Sequence, residues 1–301
     1  MRKAFINTLS ELAKMDKDIW LLTADMGYGL VESFASKFPK QYINVGVAEQ
    51  DMVGIATGLA LEGKKVFCYS IGNFPTMRCL EQIRNDVCYH NLPICIVSGG
   101  AGLWYGGLGM SHWALEDIAV MRCLPNMAVV CPAYSSEIAP LIQSFDSPCY
   151  LRMTRSLAYP ASRPSDVQWG KALPLLAGRD VVLIGTGGIV SNAIQVGIEL
   201  SKQRIQAGVL DIHTIKPLDR MGIVDAVDGV KLVITIEEHS RIGGLGSAVA
   251  EVLAGMKHHP PLVRLGTRDE YPSKAMSYEE LLRYHHLDVD SIVKEVLDAL
   301  Q

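Results

Sequence analysis

Short apolar runs rich in β-branched residues alternate along this chain with longer segments whose apolar positions recur at helical spacing. Residues 20–25 (Trp-Leu-Leu-Thr-Ala-Asp), 65–69, 94–98 and 127–131 read as strands. Residues 50–62 and 77–90 carry helical patterns between them. Strands and helices in this alternation predict a mostly parallel sheet covered on both faces. The pattern breaks near residues 156–178, where Pro160 and Pro164 stand among Ser, Arg and Asp. A second alternating unit follows. Its strands are expected at 180–185, 207–211 and 232–236, and its end, 278–301, is helical in pattern. The expectation is an α/β chain of two doubly wound domains, 1–156 and 180–301, joined by a linker at 157–179.

Composition narrows the function. The 301 residues are 49% hydrophobic and 20% charged, the balance of a soluble globular protein on the apolar side. A large core, or a surface buried against a partner chain, produces such an excess. The net charge of −4, with no basic tract, argues against nucleic acid. No apolar run reaches the length of a membrane span, and the start lacks the marks of a signal peptide, so a cytoplasmic protein is expected. The seven cysteines are odd in number and form no C-x-x-C pair. Free thiols in a reducing compartment account for them, and no metal site is expected among them.

Two glycine runs invite a nucleotide reading. Gly185-Thr186-Gly187-Gly188 follows a strand and precedes a helix, as a phosphate cradle does. It lacks the third glycine of the dinucleotide motif, so a tight strand-to-helix turn is expected. Gly243-Gly244-Leu245-Gly246-Ser247 opens a small-residue helix suited to close packing.

The stretch Asn44-Val45-Gly46-Val47-Ala48-Glu49-Gln50-Asp51 holds more chemistry. It sets Glu49 at a helix start just after a strand-like run. A carboxylate there suits the helix dipole. In an apolar setting it is costly unless a ligand atom answers it.

From Gly46 on, this stretch resembles the G-x-A-E-Q segment of the thiamine-diphosphate enzymes of the transketolase group. The segments Phe74–Asn85, Ser111-His112-Trp113-Ala114-Leu115-Glu116-Asp117, Thr214–Asp219 and Glu237–Gly246 are similar to family segments too, so the resemblance covers nearly the whole chain. It implies a pyrimidine-binding domain followed by a transketolase C-terminal domain. It implies that Glu49 hydrogen-bonds N1′ of the cofactor's aminopyrimidine and that Phe74 stacks on that ring. His112 would sit near the reacting carbonyl, and Arg2 and Arg155 would contact a substrate phosphate. His239 either approaches the site from the second domain or caps a strand end.

The departures from the family pattern concern substrate and metal. In Gly106-Gly107-Leu108-Gly109-Met110-Ser111-His112, Leu108 stands where the family has Asp. Trp113 replaces a Gln, and Gly99-Gly100-Ala101 stands where a phosphate-contacting histidine is expected. Leu108 and Trp113 would thus line a substrate site that has lost polar groups, which predicts a deoxy, nucleotide-linked or otherwise less hydroxylated substrate. The Gly-Asp-Gly segment that binds the diphosphate through Mg²⁺ is absent. The resemblance then implies an N-terminal, diphosphate-binding partner subunit supplying the Mg²⁺ ligands, in an α2β2 assembly. The implied reaction is transfer of a two-carbon ketol unit between a ketose and an aldehyde. Alternatives are a subunit like deoxyxylulose-phosphate synthase or like the β chain of a 2-oxo acid dehydrogenase, and a non-catalytic scaffold subunit.

Overall fold

A computed structural model describes residues 1–155 and 167–301. The first sheet uses β1 (Ile19–Thr23), β2 (Tyr42–Asn44), β3 (Lys65–Ser70), β4 (Ile94–Ser98), β5 (Ala128–Val130) and β6 (Cys149–Arg152). The second uses β7 (Leu173–Leu176), β8 (Val181–Gly185), β9 (Ala207–Asp211), β11 (Leu232–Ser240) and β12 (Leu262–Thr267). A short strand from the second half, β10 (Thr214–Lys216), crosses over and pairs antiparallel with β5. The orders are β10-β5-β6-β4-β3-β1-β2 and β12-β11-β8-β9-β7. All other pairings are parallel except β7 with β9. β3, β4 and β6 are buried almost throughout, as strands covered on both faces must be.

Three local differences from the expected elements have physical causes. Leu173–Leu176, inside the expected linker, is the edge strand of the second sheet. Residues 156–166 of that linker lie outside the described residues. The helix expected at 77–90 starts only at Leu80 and widens at once into a π-helical stretch, Ile83–Cys88. The C-terminal helical pattern divides into Tyr278–Tyr284 and Val289–Ala299. His286, at φ 59°, turns the chain between them. Asp288 then caps the second helix by accepting from the Ser291 amide at 3.2 Å.

The two units share a polar knot at their seam. Arg152, at the end of β6, is fully buried. Its Nε donates to Asp117 Oδ2 at 2.7 Å, and its Nη2 donates to the carbonyls of Ala114 and Glu238, each at 2.9 Å. The Tyr150 hydroxyl donates to the same carboxylate at 2.5 Å. One guanidinium thus ties together the first sheet, the helix Asp117–Cys123 and β11 of the second sheet.

The glycine runs belong to this seam. Gly187, at φ 72°, leaves no room for a side chain, since a Cβ would stand 2.7 Å from Cys131 Sγ and 2.8 Å from Thr154 Oγ1. The Gly188 amide donates to that hydroxyl at 2.7 Å. At the other run, the Glu237 carboxylate accepts from the amides of Leu245 and Gly246 at 2.7 and 2.8 Å. Burial pushes its carboxyl up to about 7 against those two bonds. His239 is a seam residue as well. It donates from Nδ1 to the Ser240 carbonyl at 2.7 Å and accepts at Nε2 from the Ala119 amide at 3.2 Å. Burial lowers it to about 4, so it is a neutral strand-end cap.

Removing one partner of a buried pair leaves the other charge uncompensated. Arg152→Ala should therefore lower the free energy of unfolding by about 3–5 kcal/mol, measured by urea denaturation. Arg152→Lys should recover little of it, because an ammonium cannot reproduce the planar fork. A loss for Arg152→Ala in the range of a surface pair, under about 1 kcal/mol, would contradict the knot.

Candidate active site

The carboxyl ends of a parallel sheet's strands are where open α/β folds gather ligand-binding loops. Here the chain leaves β2 towards Glu49, β3 towards Phe74 and Arg78, β4 towards Tyr105 and His112, and β6 towards Arg155. The helix Arg2–Met15 precedes β1 and so starts at the same edge, which brings Arg2 in.

Glu49 is the first residue of the helix Glu49–Leu61 and is 2% exposed. The turn before it is fixed by Asn44, whose Oδ1 accepts from the amides of Asp25 and Gly46 at 2.9 and 3.0 Å. Gly46 sits at φ 73°, a conformation glycine adopts without strain. The Glu49 carboxylate accepts from Arg78 Nη1 at 2.6 Å and, at a long 3.5 Å, from the Ser70 hydroxyl. The Arg78 guanidinium lies 4.5 Å from the centre of the Phe74 ring. Phe74 in turn meets the edge of His112, ring centres 5.3 Å apart. His112 exchanges a hydrogen bond with Ser111 Oγ at 3.1 Å through Nδ1. Glu49, Phe74 and His112 therefore form one contiguous patch.

Arg2 extends that patch. Its guanidinium stacks 5.0 Å from the Trp104 ring and donates to the Tyr105 hydroxyl at 3.4 Å. Tyr105 donates onward to the Gly99 carbonyl at 3.2 Å, and its ring lies 6.4 Å from that of His112. Burial raises the Tyr105 phenol above its ordinary range, with Arg2 opposing the shift. Two tyrosines explain Gly99-Gly100. A Cβ on Gly99 would stand 2.2 Å from the Tyr69 hydroxyl, and one on Gly100 2.4 Å from the Tyr105 ring. The space a side chain would need at this corner is filled by aromatic rings.

The remaining sequence-derived residues fall around this patch. Leu108 is 58% exposed on a turn, with Met110 and Met77 also exposed nearby in the chain segments that carry His112 and Phe74. Trp113 is buried, and its indole N–H is used by the Gly106 carbonyl at 3.2 Å. Its own carbonyl accepts from the Asn73 amide, which joins the Phe74 loop to the His112 loop. Arg155 turns towards the second domain, 3.0 Å from Glu279 and stacked 4.7 Å from the Tyr278 ring. A cleft of about 300 Å³ opens beside Ser111, lined by Met77, Met110, Trp113 and Leu115 and by the polar residues Asn73, Ser111, Glu116 and Tyr271. Among the described residues, no group of three or more His, Cys, Asp or Glu side chains is placed to hold a metal ion, and no helix is long and apolar enough to cross a membrane.

Arg78, Tyr105 and Trp104 were not singled out from sequence. Arg78 lies within the family-like segment after Phe74, and one signal pointed to it: a buried acid needs a cationic or donor partner. Nothing in the sequence marked Tyr105 or Trp104 as partners of Arg2, a residue more than a hundred positions away.

Two parallel-sheet domains carrying a helix-start glutamate, a partly exposed phenylalanine and a histidine on one sheet edge define a two-domain α/β enzyme subunit. The model of the transketolase pyrimidine-binding domain matches residues 1–160, and that of the transketolase C-terminal domain matches residues 170–292. The chain belongs to the transketolase family. It is 39% identical to an apulose-4-phosphate transketolase subunit of Phocaeicola vulgatus, over all of this chain and 97% of that one. It is 37% identical to a 6-deoxy-6-sulfo-D-fructose transketolase subunit from a Clostridium species, over 89% of this chain and 85% of that one. A split-gene transketolase solved as an inactive β4 tetramer superposes with a TM-score of 0.87 at 35% identity, covering 99% of this chain and 97% of that one. Like these subunits, the chain carries the pyrimidine-binding and C-terminal domains of a transketolase-type enzyme. Membership implies dependence on thiamine diphosphate.

Trp113→Ala should remove a buried wall of the cleft and cost about 3–5 kcal/mol of stability, read by chemical denaturation. A variant as stable as the parent would place Trp113 outside the core.

Proposed function

We propose that this chain is the pyrimidine-binding half of a thiamine-diphosphate-dependent transketolase. The enzyme moves a two-carbon ketol unit from a ketose to an aldehyde, with a donor or acceptor less hydroxylated than the ordinary sugar phosphates. The supporting observation is Glu49, a carboxylate 2% exposed at a helix start whose hydrogen bonds, among the described residues, come from a half-exposed guanidinium and a distant hydroxyl. Such a group suits a ring nitrogen that carries a proton. Phe74 beside it offers a ring face, so the residues present fit the aminopyrimidine end of the cofactor.

When bound, the cofactor supplies a weakly acidic C–H and an electron sink. The Glu49 carboxylate would hold a proton at the ring nitrogen N1′, so that the aminopyrimidine could supply an internal base, and Phe74 would orient that ring by stacking. His112, at the rim of the same patch, orients a substrate hydroxyl or moves its proton. Arg2 is pre-oriented by Trp104 and Tyr105 to receive an anionic substrate group through its planar fork. Arg155 is a second anion contact once it leaves Glu279. The apolar side chains of the cleft, Met77, Met110, Trp113 and Leu115, together with exposed Leu108, support a deoxy, nucleotide-linked or otherwise altered sugar, while Asn73, Ser111, Glu116 and Tyr271 leave partners for the hydroxyls it keeps. Magnesium and the diphosphate end belong to an N-terminal partner subunit in an α2β2 complex.

The test is single-turnover transfer by this chain mixed with its partner subunit, thiamine diphosphate and Mg²⁺, using phosphorylated, deoxy and nucleotide-linked sugars and pyruvate. Glu49→Gln should lower transfer by at least about 10²-fold, and ordinary pentose phosphates should be poorer substrates than a less hydroxylated member of the panel. Undiminished transfer by Glu49→Ala would favour a scaffold subunit. Preferred use of pyruvate would favour a decarboxylating enzyme.

A further inference from the structure

The two side chains assigned above to the aminopyrimidine are both engaged by a single third residue. The Arg78 guanidinium donates to Glu49 Oε2 at 2.6 Å while lying 4.5 Å from the centre of the Phe74 ring. A flat, delocalised cation thus gives the carboxylate an N–H donor and covers the phenyl face. These are the two contacts that a flat, protonated heterocycle would make with the same pair. We propose that Arg78 competes with the cofactor for its own site, and must be displaced from Glu49 and Phe74 for the aminopyrimidine to enter. This rests on the reading of Glu49 and Phe74 as the cofactor contacts.

The surroundings suit an exchange. Glu49 is too buried to stand without a donor, and the Ser70 hydroxyl at 3.5 Å is too far to serve as a full one. Arg78 supplies that donor, yet its side chain is 46% exposed. Its charged end therefore reaches water by side-chain rotation alone. The backbone beneath it is tied, because its carbonyl accepts from Gln50 Nε2 at 2.9 Å and the Cys79 amide donates to the Thr76 carbonyl at 3.2 Å. Displacement therefore replaces one charge-assisted bond to Glu49 by another and frees a guanidinium into solvent, with no loop movement. Arginine suits this role better than lysine because only its plane both stacks on a ring and donates in that plane.

A site closed most of the time has its apparent affinity reduced by the open fraction. The measurement is the equilibrium dissociation constant of thiamine diphosphate for the assembled complex in Mg²⁺, followed by intrinsic tryptophan fluorescence. It compares the parent with Arg78→Ala and Arg78→Lys. Lys202→Ala, an exposed cation in the second domain, controls for loss of charge. Arg78→Ala should bind about tenfold tighter, Arg78→Lys should fall between it and the parent, and Lys202→Ala should match the parent. An unchanged constant in Arg78→Ala would overturn the proposal. Weaker binding would overturn it too, by making Arg78 a direct cofactor contact. A parent complex that binds no thiamine diphosphate would instead overturn the cofactor reading of Glu49, and the competition with it.

Discussion

The Arg152–Asp117 pair, wholly buried at the end of β6, sets the geometry on which the site depends. A guanidinium out of water must find an acceptor for each donor it turns inwards. Arg152 finds them on two separate pieces of chain: the Ala114 carbonyl and the Asp117 carboxylate on one, the Glu238 carbonyl on the other. Ala114 lies two positions after His112, so this bond holds the near end of the His112 loop against the sheet. Glu238 belongs to the second domain, so the same side chain fixes how the domains meet. The seam is then filled by groups that have no freedom left: Glu237 on a helix start, a neutral His239, and a glycine turn packed on Thr154.

Beside that fixed floor lie a patch and a cleft. Glu49 and Arg78 belong to the patch, bridged to His112 by Phe74. Met77, Met110 and Trp113 line the cleft together with Asn73, Ser111 and Glu116, and Leu108 is exposed on the His112 loop. Tyr105 extends the patch by positioning Arg2 and by filling the space over Gly100.

Most of the architecture was legible because parallel strands are apolar on both faces and are punctuated by helices at regular intervals. Ile94–Ser98 and Ala207–Asp211 fall where the pattern puts them. β7 was hidden because Leu173-Pro174-Leu175-Leu176 is a short edge strand in a proline-rich stretch. The π-helical stretch at Ile83–Cys88 was hidden because an apolar period does not distinguish helix types. At the site, Glu49, Phe74 and His112 were legible through motifs, and the fold gathers them. The contacts of Arg2 and the seam role of His239 were not, because each depends on partners brought close only by tertiary packing. The glycine runs serve the tight turn and close packing expected of them, and what fills them is the rest of the protein.

The proposed chemistry stands on Glu49 acting through the cofactor's aminopyrimidine. The most direct measurement is the rate at which the acidic C–H of bound thiamine diphosphate exchanges with deuterium in the assembled complex, followed by NMR. Fast exchange is expected in the parent, with a loss of at least about 10²-fold in Glu49→Ala at saturating cofactor. Equal exchange rates in the two proteins would contradict that role for Glu49.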